Sequence, residues 1–237
     1  MSSPEIQLWF YAKPDRALTI EQRHAQVMEQ MSRVGSPLGF EGLDLPAAPS
    51  CGDGLSASYK IKFPVKGLLC IGDYIYRGER YVYEDHGSFD EHLRFGFKIS
   101  NIKIDYRNVL NTEIQEITQA FGAYKAFASY DLYSVYYQGN GPDENPVYDR
   151  LRKEKSIDVD GRNNIYTLHP VQFWDGDRCR SALGYGPDEV VARLQGKVQR
   201  VERFLDGVFL LLNDDPGLTY EQFVEMNERV KPILGLI

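Results

Sequence analysis

Paired cysteines are missing from this sequence. Its three cysteines, Cys51, Cys70 and Cys179, are an odd number with no C-x-x-C spacing. A disulfide framework uses an even set, and a structural zinc site uses closely spaced pairs. We therefore expect reduced thiols and a cytoplasmic location.

Long apolar runs are also missing. The best run, residues 208–212, has five residues, whereas spanning a bilayer takes about 18 or more. The first fifteen residues, MSSPEIQLWFYAKPD, contain charges and no long apolar stretch, which is not the pattern of a signal peptide. We expect no contact with a membrane.

Positive charge is scarce. The 237 residues include 27 Lys and Arg against 34 Asp and Glu, which gives a net charge of -7. Proteins that follow nucleic-acid phosphates cluster basic residues, so direct nucleic-acid binding is disfavoured. An acidic protein can instead pair with a basic partner, and charge then speeds their association.

The motifs of several enzyme classes do not occur. The sequence has no H-E-x-x-H, no G-x-S-x-G, no glycine-rich phosphate loop, and no acidic residue followed two positions later by Lys. These absences argue against zinc proteases, serine hydrolases, nucleotide-binding enzymes and restriction-type nucleases. We expect a protein that is not an enzyme and has no cofactor.

One alternative stays open in residues 84–92, EDHGSFDEH. They contain two histidines and four carboxylates, which are the ligand types of a metal-dependent hydrolase using His86 and His92. A polar loop of this kind is more often simply solvated.

The two ends of the chain follow the same pattern. Residues 6–12 are apolar and predict a strand, and Thr19 with Gln22 forms a capping box that predicts a helix start. Near the other end, VFLLLN predicts a strand, and Thr219 with Gln222 repeats the capping box. His24 shares the apolar stripe of the first helix, which is typical of a core histidine.

Hairpins and two further helices are predicted between these ends. Residues 74–83, YIYRGERYVY, predict a hairpin through Gly78-Glu79, and Asp206-Gly207 predicts another. Helices are predicted from Thr112 with Gln115 and from Pro187. The apolar phase flips at Ser100-Asn101, which predicts a bulge or a tight turn.

These elements predict an α+β fold, with a mixed or antiparallel sheet, about four helices and matching strand–helix units at the two ends. We expect one domain over residues 1–237. Loops at 44–58 and 139–146 mark the places where two lobes would separate.

Residues 169–180, HPVQFWDGDRCR, combine a predicted strand with a predicted turn. Val171 and Phe173 alternate as in a strand, and Asp175-Gly176-Asp177 is turn chemistry. Trp174 is either a buried core residue or an aromatic partner contact flanked by acids.

Tyrosine is abundant, at 16 residues, and suits recognition surfaces because it offers a large area with few rotors. Combined with the acidic segments, it favours a protein-binding module. The predicted partner-binding residues are Trp174, Asp175, Asp177, Glu84, Asp85, Asp90, Glu91, Tyr81 and Tyr83.

The chain also resembles a known family. The N-terminal strand with its capped helix, Gly39-Phe40, VQFWDGD and the DGVFLLLND hairpin before a last helix are similar to the immunity protein 52 family of bacterial polymorphic-toxin systems. The resemblance spans nearly the whole length and implies a cytoplasmic inhibitor of a secreted, restriction-endonuclease-like toxin of type VI secretion. A non-catalytic adaptor of a secretion assembly is the further alternative.

Overall fold

The computed structural model describes residues 5–52, 54–86, 89–130, 133–140, 153, 159 and 161–236. In this part the chain forms eight strands and seven helical stretches. It divides into two compact units: unit 1 is Met1–Glu84 with Ser88–Ala126, and unit 2 is Asp85–Gly87 with Phe127–Ile237. The α+β class is confirmed, but about four helices was too low.

Unit 1 contains an antiparallel sheet in the order β2-β3-β4-β1. The burial of β1 alternates along its length, so one side chain in two enters the core. A further strand, β5, begins in unit 1 and ends in unit 2. The five strands are β1 (Glu5–Ala12), β2 (Ser56–Ile61), β3 (Leu69–Ile75), β4 (Glu91–Lys98) and β5 (Lys125–Tyr130).

The first helix, α1 (Ile20–Met31), begins as predicted. The Thr19 hydroxyl accepts from the Gln22 backbone N–H, and the Gln22 side chain accepts from the Thr19 backbone N–H. His24 is buried; its ring nitrogens lie 3.2 Å from the Tyr74 hydroxyl and 2.9 Å from the Pro46 carbonyl oxygen. The prediction of a core histidine is confirmed.

The helix predicted from Thr112 begins earlier. It consists of Tyr106–Asn108, a π-helical turn Val109–Glu113 and Ile114–Phe121, together named α3. The Asp105 carboxylate accepts from the backbone N–H groups of Arg107 and Asn108, at 3.0 and 3.2 Å. Asp105 therefore caps this helix, and Thr112 lies inside it.

The predicted hairpin over residues 74–83 is wrong. β3 continues to Ile75, which pairs with Ser56, and the Tyr76 N–H donates to the Leu55 carbonyl at 2.8 Å. A helix, α2 (Glu79–Tyr83), follows instead of a second strand. Gly78 has φ -69°, whereas a type II′ turn needs a positive φ at that position.

The turn predicted at Ser100-Asn101 is present. The Asn101 N–H donates to the Lys98 carbonyl and the Ile104 N–H to the Asn101 carbonyl, at 2.9 and 3.0 Å. Helix α3 follows this turn, so the apolar residues beyond Asn101, whose alternation is of opposite phase, do not form a strand.

Unit 2 contains three antiparallel strands in the order β6-β8-β7. The predicted hairpin is present, but Phe204 pairs with Gly207, so its turn residues are Leu205 and Asp206 and not Asp206-Gly207. The second capping box, Thr219 with Gln222, opens the last helix as predicted. Pro187 occupies the first turn of its helix, also as predicted. The elements are α4 (Tyr133–Val135 with Tyr136–Asn140), β6 (Val171–Trp174), α5 (Gly176–Leu183), α6 (Pro187–Leu194), β7 (Arg200–Phe204), β8 (Gly207–Leu211) and α7 (Tyr220–Leu234).

A buried carboxyl in the π-helical turn makes stability depend on pH. Glu113 is 3% exposed and accepts from Asn108 Nδ2 at 2.8 Å. Burial raises its pKa from 4.5 to about 7, with smaller contributions from Glu116 and Asp105. A carboxyl whose pKa is raised on folding contributes its full stabilisation at pH values below its pKa in the unfolded chain. That contribution is lost as the pH rises through its pKa in the folded chain.

We expect Glu113→Gln, which mimics the neutral carboxyl, to remove this dependence. Between acid and mildly alkaline pH, the unfolding free energy of the wild type should therefore fall by roughly 3 kcal/mol relative to that of the variant. Urea unfolding at a series of pH values measures the difference, with exposed Glu41→Gln as the control. A parallel pH profile of wild type and Glu113→Gln would contradict the assignment.

Candidate functional site: an exposed aromatic patch at α2

The segment around α2 holds large apolar side chains in contact with solvent. Leu55 is 59% exposed, Tyr76 54% and Tyr83 68%. Two neighbours, Tyr81 and Phe89, are half-buried beside them. We name these five residues the aromatic patch.

Ring contacts join three members of the aromatic patch, Tyr76, Tyr81 and Phe89. The Tyr76 and Tyr81 rings meet edge to face with centroids 6.4 Å apart, and the Tyr81 and Phe89 rings do so at 4.8 Å. The backbone hydrogen bond from Tyr76 to Leu55 brings Leu55 beside them. Such edge-to-face pairs favour a fixed arrangement of the rings.

Charged groups surround the aromatic patch. The Arg80 guanidinium lies 5.3 Å from the Phe89 ring centroid, and Arg16 lies 6.0 Å from that of Tyr83. Arg80 Nε also contacts Glu84 Oε2 at 3.1 Å, and both side chains are more than half exposed. An ion pair this exposed contributes little to stability, so either charge can pair with a partner instead.

Arg77 and Glu91 anchor the segment that leads into the aromatic patch. Glu91 is 0% exposed and forms ion pairs with Arg77 and with Arg23, the latter at 3.0 Å. Arg77 also donates to the carbonyls of Leu18 and Ile75, at 3.2 and 2.8 Å. The chain between β3 and α2 is thereby held from two sides. Burial raises the pKa of Glu91, although the two guanidinium groups lower it.

Two predicted contact residues are not on the surface. Asp90 is 2% exposed and accepts a hydrogen bond from the Tyr124 hydroxyl, and Glu91 opens β4. The expectation that they face solvent is wrong, because the acidic segment leads into a core strand. Asp85 accepts from the backbone N–H groups of Arg162 and Asn163.

The predicted contacts in residues 174–177 belong to a strand end and a helix start in unit 2. Trp174 is 2% exposed, which confirms the core interpretation and leaves its ring unavailable to a partner. Asp175 accepts from the Arg178 N–H at 2.7 Å and caps α5, so a helix replaces the predicted turn. Asp177 is exposed and pairs with Arg180 at 2.6 Å.

The structure thus brings together three of the predicted residues, Tyr81, Tyr83 and Glu84, on and beside α2. It adds Leu55, Tyr76, Phe89, Arg16 and Arg80, which we had not predicted as contacts. The i, i+4 spacing of Arg80 and Glu84 is a sequence signal for this helix.

The alternative ligand set does not assemble where the structure describes it. Over those residues, no three His, Cys, Asp or Glu side chains are grouped to hold a metal ion. His92 Nε2 lies 3.0 Å from Asp73 Oδ2, and His86 is exposed.

Among the described helices, none combines the length and apolar character that crossing a bilayer requires.

The chain matches no protein-family model and no curated protein sequence. Among solved structures it is similar to the Pseudomonas aeruginosa T6SS protein PA0821, with a TM-score of 0.52 and 12% identity. The match covers 97% of this chain and 76% of that one. At this identity the likeness shows the fold alone.

Proposed function

We propose that this chain is an immunity protein that binds and neutralises a secreted nuclease toxin of type VI secretion, and that the aromatic patch contacts the toxin. The main support is that Tyr76 and Tyr83 are exposed on a segment that the buried ion pair of Arg77 and Glu91 anchors. The family resemblance and a fold shared with a T6SS protein support the same context.

The chemistry of the aromatic patch suits protein recognition. Tyrosine buries a large area while freezing few rotors, and it is enriched among residues that dominate interface energy. Anchoring by Arg77 and Glu91 lowers the entropy that binding must overcome, because the segment is ordered before the partner arrives.

Charge supports a basic partner. The chain carries -7 net charge, and Glu79 and Glu84 are exposed on and beside α2. A nuclease needs a basic surface to hold its substrate. Association would then be fast at low salt and slower as salt rises.

Co-expression with the product of the neighbouring reading frame, which the proposal expects to be the toxin, tests the proposal. We expect the wild-type chain to rescue growth, to co-purify with the toxin and to inhibit its nuclease activity. Binding without loss of nuclease activity would favour the adaptor alternative. Failure to rescue or bind would contradict the proposed function.

Substitution of the exposed tyrosines locates the contact. Each of Tyr76→Ala and Tyr83→Ala should weaken toxin binding by about 1–3 kcal/mol, or roughly five- to 150-fold in Kd. Ile102→Ala, at a residue 99% exposed outside the aromatic patch, is the matched control. Calorimetric titration gives the values; wild-type affinity in both tyrosine variants would exclude the aromatic patch as the contact.

A further inference from the structure

The sheet of unit 1 has a second face on which side chains remain accessible. Along β1, β3 and β4, alternate residues are half-exposed while their neighbours are buried. The accessible set includes Trp9, Tyr11, Ile71, His92 and Arg94. We name this surface the outward face.

The outward face is arranged in cross-strand rows. Tyr11, His92, Asp73 and Ser58 lie opposite one another on β1, β4, β3 and β2. The next row is Trp9, Arg94, Ile71 and Lys60. The Trp9 and Tyr11 rings are nearly parallel, at 9°, with centroids 5.8 Å apart. Aromatic side chains therefore join two adjacent rows.

The charge of the outward face is opposite to that of the whole chain. Its carboxylates are Glu5 and Asp73, and Asp73 is engaged by His92 at 3.0 Å and by Ser58. The chain as a whole carries -7, so this concentration of cations is local. The cations on or beside the face are Lys60, Lys66, Arg94, Lys98 and Lys125.

A groove continues the outward face at one end. It is open, has a volume of about 520 Å³, and is lined by Lys66, Leu69, Gly96 and Lys98 among others. Gly96 lies between Gln7 and Leu69 in the third row, and a Cβ there would lie 3.6 Å from Glu5 Oε1. The lining of the groove thus combines apolar groups with two cations, Lys66 and Lys98, and one carboxylate, Glu5.

We propose that the outward face binds an acidic, extended polypeptide segment as a second docking surface of this protein. Successive rows lie about 7 Å apart, which equals the spacing of alternate side chains in an extended peptide. Carboxylates would pair with Arg94, Lys60 and Lys98, and apolar side chains would enter the groove. The proposal does not depend on the toxin assignment.

A protein segment fits this surface better than a single-stranded nucleic acid. Nucleic-acid platforms offer free ring faces for stacking bases. Here the Arg94 guanidinium lies 4.9 Å from the Trp9 ring centroid, and Lys125 Nζ lies 4.3 Å from that of Tyr11. The net charge of -7 also repels a long polyanion more than a short peptide.

Fluorescence anisotropy with a labelled peptide alternating glutamate and leucine tests the proposal on the full chain. We expect saturable binding that weakens with salt, and at least about tenfold weaker binding by Arg94→Glu/Lys98→Glu. The exposed pair Lys60→Glu/Lys66→Glu is a second variant should the first misfold by circular dichroism. Lys197→Glu/Arg229→Glu, with the same charge change in unit 2, is the matched control.

Absence of binding, or equal weakening by the control and outward-face variants, would overturn the proposal. So would tighter binding of an oligothymidylate than of the peptide, which would assign the face to nucleic acid. Self-association abolished by the same substitutions would assign it to a second copy of the chain.

Discussion

Replacing Glu91 with alanine should lower the unfolding free energy by about 3–5 kcal/mol, because two partly buried guanidinium groups would lose their shared counter-charge. Arg23 and Arg77 each have 14% side-chain exposure, and Glu91 has none. Removing one member of a buried ion cluster costs more than the cluster contributes, because it leaves charges that water cannot fully solvate.

Urea unfolding followed by circular dichroism measures this loss. The control is Glu29→Ala, which removes an exposed pair with Arg33 and should change little. A loss in Glu91→Ala no larger than that of the control would mean that the cluster does not anchor the segment. Because Arg77 precedes α2, we also expect Glu91→Ala to weaken toxin binding.

Replacing Gly207 with alanine should destabilise unit 2 by about 3 kcal/mol. A Cβ at this position would lie 2.0 Å from the Trp174 carbonyl oxygen and 2.8 Å from the Asp175 Cα. Both neighbours are backbone atoms, so a rotamer change cannot relieve the overlap. β6 and β8 would have to separate where Trp174 pairs with Val208.

Thermal unfolding of Gly207→Ala checks this expectation. Gly35→Ala is the control, because a Cβ there meets nothing within 4 Å, and its melting temperature should stay near the wild-type value. An unchanged melting temperature in Gly207→Ala would contradict the close approach of the two strands.

The same contact explains an error of one residue in the predicted hairpin. The sequence favours Asp206-Gly207 as the turn, but Phe204 pairs with Gly207, so the turn residues are Leu205 and Asp206. Leu205 takes a positive φ of 50°. Gly207 is required inside β8 by the nearness of Trp174, and a turn propensity contains no information about a neighbouring strand.

Elements with local signals were predicted well. The capping boxes at Thr19 and Thr219 form hydrogen bonds to backbone groups within four residues, so they can be predicted from the sequence. Pro187 acts equally locally. The hairpin over residues 74–83 failed because β3 pairs with β2, and that long-range choice overrides the local symmetry of tyrosines.

The candidate site was predicted only in part, because some of its contacts are local in sequence and others are long-range. Tyr81 and Tyr83 lie on one short helix and Glu84 directly follows it, so their proximity follows from sequence adjacency. Asp90 and Glu91 look solvated by composition, but residues distant in sequence bind them: the Tyr124 hydroxyl donates a hydrogen bond to Asp90, and Arg23 and Arg77 form ion pairs with Glu91. Leu55 lies beside the aromatic patch because its carbonyl accepts from the Tyr76 N–H, and no local sequence pattern predicts that contact.

Hydrogen–deuterium exchange of the chain, alone and in complex with the co-purified toxin, shows whether the aromatic patch is the docking surface. If the aromatic patch is the docking surface, backbone amides in residues 76–84 should exchange more slowly in the complex. Unchanged exchange there, with protection confined to other segments of a stable complex, would contradict it.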